Sequence, residues 1–491
     1  MLAGSTMSAA RRAAPPATTT LIQHALVIDG TGQPGRRADV RVSGDRVLAV
    51  GALTPAAGEL LIDAAGFALA PGFIDTHSHH AGSLDTARDA LAVVSQGVTT
   101  IVSGQDGGGI DLAALFAGLE RTPVSVNVAS DAGHGAIRSR VMGKDFARPA
   151  TSVEIDQMKR LVNVEMDAGA LGLSTGLEYD PGIYSTPEEV LALAKVAGDA
   201  GGRYVSHIRS EDRWFWQALD EVITIGRVNK MPVQVSHIKL GMLDLWGQAE
   251  NVIGVLDRAR ASGVNVTADI YPYTYWQSNL GVLYPKRNFA DRTETEFVLA
   301  HVVPADGVIF NNFPGHPEYT GRTLAQVAEL RKTSHVQTLL DLLAEPDGSG
   351  AGIVARGMSD DDVARLLQWP MANVCSDGRS TGLHPRGFGS VPKVLGPYVR
   401  DKKLFSLEEA VRKMTSLAAA NVGLVNRGRI APGYFADLVL FDPAVVADRA
   451  DFGRAQEQAV GIGTVWVNGE VVFRDGKTTG VYSGRPIRRG R

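Results

Sequence analysis

Hydrophobic positions along the chain fall into stretches with different periods. From about Leu21 to Ala70 they form short strand-like runs broken by turn signals: LIQHALVID, then GTGQPG, ADVRV, SGD and RVLAVG. The far C-terminal part behaves the same way, with ADLVLFD, TVWVNG and EVVFRDG. The two ends predict one small β-sandwich domain, residues 21–70 plus 428–491, preceded by a disordered tail at 1–20. Between them, short apolar runs alternate with amphipathic helices, which is the pattern of parallel βα units. Eight runs read as strands, at 72–76, 99–103, 124–130, 171–175, 203–206, 233–236, 264–269 and 372–376.

The intervening helices carry their own start signals. Thr151 and Glu154 form a capping box ahead of Ile155, Met158, Leu161, Val162 and Met166. Thr186–Pro187 opens another helix, with proline at the first position, where its missing N–H is harmless. Eight strands in this alternation predict an α/β fold, a (β/α)₈ TIM barrel over 71–427. The stretch 283–355 does not fit a single βα step and predicts an inserted subdomain or lid.

Composition narrows the class. Among 491 residues, 44% are hydrophobic and 21% charged, as in an ordinary folded protein. Lysine and arginine total 49 against 53 acidic residues, for a net charge of −4, so no basic field suits nucleic acid or an anionic membrane. No run approaches the roughly 20 apolar residues of a membrane span. The first twenty residues lack the apolar core of a secretory signal, and the single cysteine, Cys375, fits a reducing compartment. The expectation is a cytoplasmic protein with no nucleic-acid or membrane partner.

Barrel enzymes work at the C-terminal ends of their strands, and ionisable residues gather there. The first strand is followed by Asp75-Thr76-His77-Ser78-His79 and the second by Gly104-Gln105-Asp106-Gly107. His134 follows the third, His207 the fifth and His237 the sixth, and the eighth ends in Ser376-Asp377-Gly378. Residues i and i+2 on an extended segment point the same way, so His77 and His79 can hold one metal ion together. An isolated His-x-His is more often unliganded, but its place at a strand end, with His207, His237 and Asp377 at others, favours a metal centre. Cys375, inside an apolar strand, reads as core, and His80 as a residue at the rim or in a loop.

The segments APGFIDTHSH, QGVTTIVSG, GALGLSTGLEYDPG, SHIRSED, VQVSHIK, DIYPY and VCSDG carry a resemblance. The chain resembles the N-acyl-D-amino-acid deacylases (D-aminoacylases) of the amidohydrolase superfamily over nearly its whole length. That resemblance implies zinc, as one or two ions, with other divalent metals possible. His77 and His79 match one pair of ligands, and His207 and His237 those of the more tightly bound ion. Asp377 matches the catalytic aspartate, also a ligand. A cysteine ligand is usual in the turn after strand two; Asp106 stands there, a harder oxygen donor that would disfavour the softest metals. Should Asp106 only cap its loop, Glu178 is the alternative bridging carboxylate.

The same resemblance matches Arg386, in LHPRG, to a carboxylate-binding arginine, although the loop is two residues shorter here. Lys239, Tyr179 and Tyr271 match further substrate contacts. His134, with Arg138 in GHGAIR, is a last candidate on the substrate side, with a structural role as its alternative. The implied reaction is hydrolysis of N-acyl-D-amino acids, by metal-activated water with Asp377 as general base and then acid. The D preference follows from resemblance alone. Thr274-Tyr275-Trp276-Gln277-Ser278 is bulkier than the usual serine-containing segment and is expected to narrow the pocket. The charged loop Arg209–Arg213 exceeds what a simple acyl pocket needs. Two rival readings are a cyclic amidase or dipeptidase of the same superfamily, which generally needs a carboxylated lysine not found after strand four, and a metal-free scaffold.

Overall fold

The computed structural model of the chain describes residues 19–490. Of the tail expected at 1–20, residues 1–18 lie outside the described part, while Thr19 and Thr20 already belong to a strand, Thr19–Val27.

Eight parallel strands form the barrel: Phe73–Asp75, Val98–Ser103, Asn127–Ser130 continued by Ala132–Gly133, Gly172–Gly176, Arg203–His207, Val233–Val235, Val266–Ile270 and Ala372–Val374. The third strand changes partner at Asp131, its first half pairing with the second strand and its second half with the fourth. Closure between the first and last strands comes just past their ends. The His79 amide donates to the Gly378 carbonyl at 3.0 Å, and the Asp377 amide to the His77 carbonyl at 2.9 Å. The backbone that seals the barrel thus also carries the ionisable residues. The two helix starts have the expected caps: Thr151 and Glu154 bond reciprocally, and Thr186 caps the helix beginning at Pro187.

The terminal segments build one continuous sheet in which strand Ala68–Pro71 pairs with Leu438–Phe441. It closes on its own core, including Ile22, Val40, Leu69, Leu438 and Trp466. Phe441 of this sheet packs 6.3 Å from Phe73, at the start of the first barrel strand. Burying such rings stabilises each by roughly 2–3 kcal/mol and fixes the sheet against the barrel. The last residues leave the sheet and run along the barrel's lower end. There the Gly484 amide donates to the Val124 carbonyl at 2.8 Å, and that of Ile487 to Val128 at 2.8 Å.

The insertion begins earlier than expected from the sequence. Strand Tyr275–Asn279 pairs antiparallel with Gly352–Arg356, which in turn pairs with Val308–Asn312. Helices Leu324–Arg331 and His335–Ala344 complete it. The reason is register: Tyr275 to Asn279 find their hydrogen-bond partners more than seventy residues away, which no local pattern encodes. Among the described residues, no helix is long and apolar enough to cross a membrane.

Candidate metal centre and active-site cavity

Six of the residues at strand ends converge. His77 Nε2 lies 3.4 Å from Asp106 Oδ1 and 3.6 Å from Asp377 Oδ1. His79 Nε2 is 3.2 Å from Asp106 Oδ2 and 3.2 Å from Asp377 Oδ1. His237 Nε2 is 3.4 Å from the same Asp106 Oδ1 and 3.1 Å from His207 Nδ1. Two ligand sets result, His77–His79–Asp106–Asp377 and Asp106–His207–His237, with Asp106 in both. Asp106 therefore stands at the centre of the group instead of capping its loop.

The fit to an ion has independent signs. Both ring nitrogens of His77 and Oδ1 of Asp106 are buried without any hydrogen-bond partner, and unpaired buried polar atoms are rare and costly. Two tetrahedral ligands, each about 2.1 Å from an ion, stand about 3.4 Å apart, the spacing seen here. Asp106, His237 and Asp377 have φ of 54°, 34° and 49°. Non-glycine residues in that left-handed region cost on the order of 1–3 kcal/mol each, strain typical of functional sites. Small neighbours permit the turn at Asp106: a Cβ on Gly176 would sit 2.4 Å from the Asp106 carbonyl oxygen.

Electrostatics point the same way. Burial would raise the carboxyls of Asp106 and Asp377, but surrounding cations outweigh it and hold both well below the usual range. His77 leads for Asp106, Arg386 for Asp377. Burial and Lys239 depress His237, yet the carboxylates of Glu211, Asp377 and Asp106 prevail and raise it to about 10. A site that so favours a proton on imidazole also favours a metal cation competing for that nitrogen.

A second layer stands behind these ligands, and of its members only Glu211 was hidden in the sequence. Glu211 Oε1 lies 3.1 Å from His237 Nδ1 and accepts from Lys239 Nζ at 2.6 Å, and Lys239 Nζ is also 2.6 Å from His237 Nδ1. Glu178 Oε2 is 3.0 Å from His207 Nε2. Glu178 thus backs His207 on the side away from Asp106, and Glu178, His207 and Glu211 form a third potential ligand group. The signal for Glu211 was its position four residues after His207 in the charged loop Arg209–Arg213. Elsewhere in that loop, Arg209 pairs with Glu221 and Asp212 with Arg213.

Two cavities meet at Tyr179, Gln277, Ser278 and Asp377. The smaller one, about 480 Å³ counted out to solvent, is bordered by Lys239, Glu211 and Trp276; the larger and more open one, about 1300 Å³ on the same count, by His79, Asp106 and Arg386. Arg386 donates to Asp377 Oδ2 at 2.6 Å. The Tyr271 ring is near both cations, 4.8 Å from the Arg386 guanidinium and 5.7 Å from Lys239 Nζ, and its hydroxyl is buried without a partner. The Tyr179 ring packs 4.3 Å from that of His207. Trp276 lines the smaller cavity, whereas Tyr275 packs 4.6 Å from Phe452 and does not narrow it.

His134 is not part of this arrangement. It is fully buried, with Nε2 2.9 Å from Glu189 Oε1, and it borders neither cavity. Arg138 binds the same Glu189 oxygen at 3.0 Å and the carbonyls of Phe146 and Arg148 at 2.6 Å each. The expectation that His134 contacts substrate is corrected: its ring is engaged by a helix carboxylate, and the GHGAIR segment braces the scaffold. His80 is buried at 1% exposure rather than lying at the rim, and burial holds it neutral, down at about 3. Cys375 is buried, as expected of a core residue.

A barrel whose strand ends carry an imidazole–carboxylate cluster is the construction of the amidohydrolases, and the chain belongs to the amidohydrolase family, whose model matches residues 60–281 and 320–473. Within it, the chain is similar to a D-aminoacylase of Alcaligenes xylosoxydans xylosoxydans, at 37% identity over 96% of this chain and 97% of that protein. An N-acyl-D-aspartate deacylase of the same organism is 37% identical, over 95% and 94%. The N-acyl-D-glutamate deacylase of Bordetella bronchiseptica, solved with zinc and a phosphonate mimic of the tetrahedral intermediate, superposes with a TM-score of 0.87. It is 34% identical and covers 96% of this chain and 100% of its own.

Proposed function

We propose that the chain hydrolyses the amide of N-acyl-D-amino acids, releasing a carboxylate and a free D-amino acid with the help of one or two divalent ions, zinc foremost. The observation that carries this reading is the double ligand set sharing Asp106, beside two cations that lie against the Tyr271 ring. His77, His79, Asp106 and Asp377 would hold one ion, and Asp106, His207 and His237 the other. When bound, a divalent ion supplies Lewis acidity, acidifying a water and polarising the scissile carbonyl. With oxygen in place of the usual thiolate, Asp106 makes the centre hospitable to manganese and cobalt as well.

The chain's own groups do the rest. Asp377, kept ionised by Arg386 and the neighbouring imidazoles, takes a proton from the attacking water on its carboxylate. It then delivers that proton to the departing nitrogen, which an amide needs because an amine anion leaves poorly. Arg386, Tyr271 and Lys239 present a guanidinium, a hydroxyl and an ammonium to the substrate carboxylate; the arginine fork suits two-point binding. Glu211 and Glu178 orient His237 and His207 from behind. The division into a terminal β-domain (21–70 plus 428–491) and a barrel (71–427) is part of the proposal, as are a cytoplasmic location and independence from nucleic acid and membranes. Amine release from N-acetyl-D- and N-acetyl-L-amino acids by zinc-loaded protein tests the reading.

A further inference from the structure

The two cavities differ in chemistry. The smaller one is walled by Trp276, Val282, Leu283 and Val302 together with Lys239 and the acidic groups Glu178, Glu211 and Asp212. The open one is polar, and its only carboxylates among the described residues are Asp106 and Asp377, both at the reacting end. Its lining also includes Arg379, Asn279 and Asn311.

Arg379 lies two residues after Asp377 and is exposed. Arg386, in the same cavity, is held by Asp377 at 2.6 Å, whereas Arg379 makes no ion pair or side-chain hydrogen bond with any described residue. Its loop is nevertheless tied in place. The Leu383 amide donates to Asn311 Oδ1 at 2.7 Å, and His384 Nε2 is 2.8 Å from the Tyr275 carbonyl oxygen. Asn279 Oδ1 likewise accepts from the Val282 amide at 3.1 Å. Both asparagines spend their oxygen on backbone, so each is left with its NH₂ group to offer. An uncompensated guanidinium that shares a cavity with two spare amide donors is a setting for an anion.

We propose that Arg379 is a specificity-determining residue that receives a second carboxylate of the substrate, distinct from the α-carboxylate taken by Arg386, with Asn279 and Asn311 completing the subsite. The inference rests on the N-acyl-D-amino-acid reading above. A second carboxylate is presented equally by the side chain of an acidic D-amino acid or by the far end of a dicarboxylic acyl group.

The test compares N-acetyl-D-leucine, N-acetyl-D-glutamate and N-succinyl-D-leucine on the zinc-loaded full chain, using kcat/KM where a compound is hydrolysed and a calorimetric Kd where it is not. The parent should favour at least one two-carboxylate compound over N-acetyl-D-leucine by tenfold or more, and high salt should shrink that preference. Arg379→Met should lower the preference at least tenfold, and Arg379→Lys should keep most of it. Preference for the glutamate compound places the second carboxylate on the amino acid, and for the succinyl compound on the acyl group. A parent without preference, or a preference that Arg379→Met leaves unmoved, overturns the assignment. If nothing is hydrolysed but binding still favours two carboxylates through Arg379, the subsite stands and the deacylase reading falls.

Discussion

Oδ1 of Asp106 lies 3.4 Å from Nε2 of His77, and neither buried atom has a hydrogen-bond partner. The same oxygen is 3.4 Å from Nε2 of His237, so one carboxylate joins two groups of ligands. Asp106→Ala should therefore lower the metal content of dialysed protein, measured by elemental analysis, and reduce kcat/KM at least 100-fold. An alanine variant that keeps full metal and full activity would remove Asp106 from the centre.

Asp377 is placed to move the proton. Asp377→Asn keeps the shape but not the basicity, and kcat should fall by 10²–10⁴, the usual worth of general acid–base catalysis. Metal bound through His77 and His79 should survive in elemental analysis. Near-normal turnover in that variant would end the general-base role.

Arg386 and Lys239 both lie close to the Tyr271 ring. Arg386→Ala and Tyr271→Phe should each raise KM by roughly tenfold or more, with a smaller effect on kcat. Arg386→Lys should not restore KM, since an ammonium lacks the two-point fork. Steady-state kinetics checks both statements; an unchanged KM would place the substrate carboxylate elsewhere.

His134 is engaged by Glu189 inside the scaffold. His134→Ala should lower stability by about 1–3 kcal/mol, the cost of leaving buried partners unpaired, while KM stays at the parental value. Denaturant melts alongside kinetics read this. A large rise in KM with unaltered stability would restore His134 to the substrate side.

Asp131, where the third strand changes partner, supplies a pH signature. Burial raises its carboxyl from 3.8 to about 6, only partly offset by Arg203 and a hydrogen bond from Gln105. The native state then holds a proton that the unfolded chain has lost, so this contribution is fully present below pH about 4 and lost as pH rises through about 6. Asp131→Asn should be more stable than the parent at pH 8, by up to roughly 3 kcal/mol at 1.36 kcal/mol per pKa unit, with the advantage gone near pH 4. An advantage that does not change with pH would contradict this origin.

Much of this architecture was legible because barrel strands are buried on both faces and stand out as apolar runs, most of them ending close to a histidine or aspartate. His77, His79, His207, His237 and Asp377 could be read from that coincidence. Glu211 could not, because in SHIRSEDR it looks like any solvated charge until folding carries it to Lys239 and His237. The strand Tyr275–Asn279 was invisible for a related reason, since its partner Gly352–Arg356 is remote in sequence. His134 was misjudged because a strand-end histidine can face either the cavity or the helix beside it, and only the position of Glu189 decides. The left-handed backbone at Asp106, His237 and Asp377 has no residue signature of its own.

The most direct test of the account is amine release from matched D and L panels of N-acetyl and longer N-acyl amino acids, using zinc-reconstituted protein. Turnover confined to the D compounds and lost on chelation is the predicted result. Metal demonstrably bound with no turnover of any D compound, or turnover of the L series alone, would contradict it.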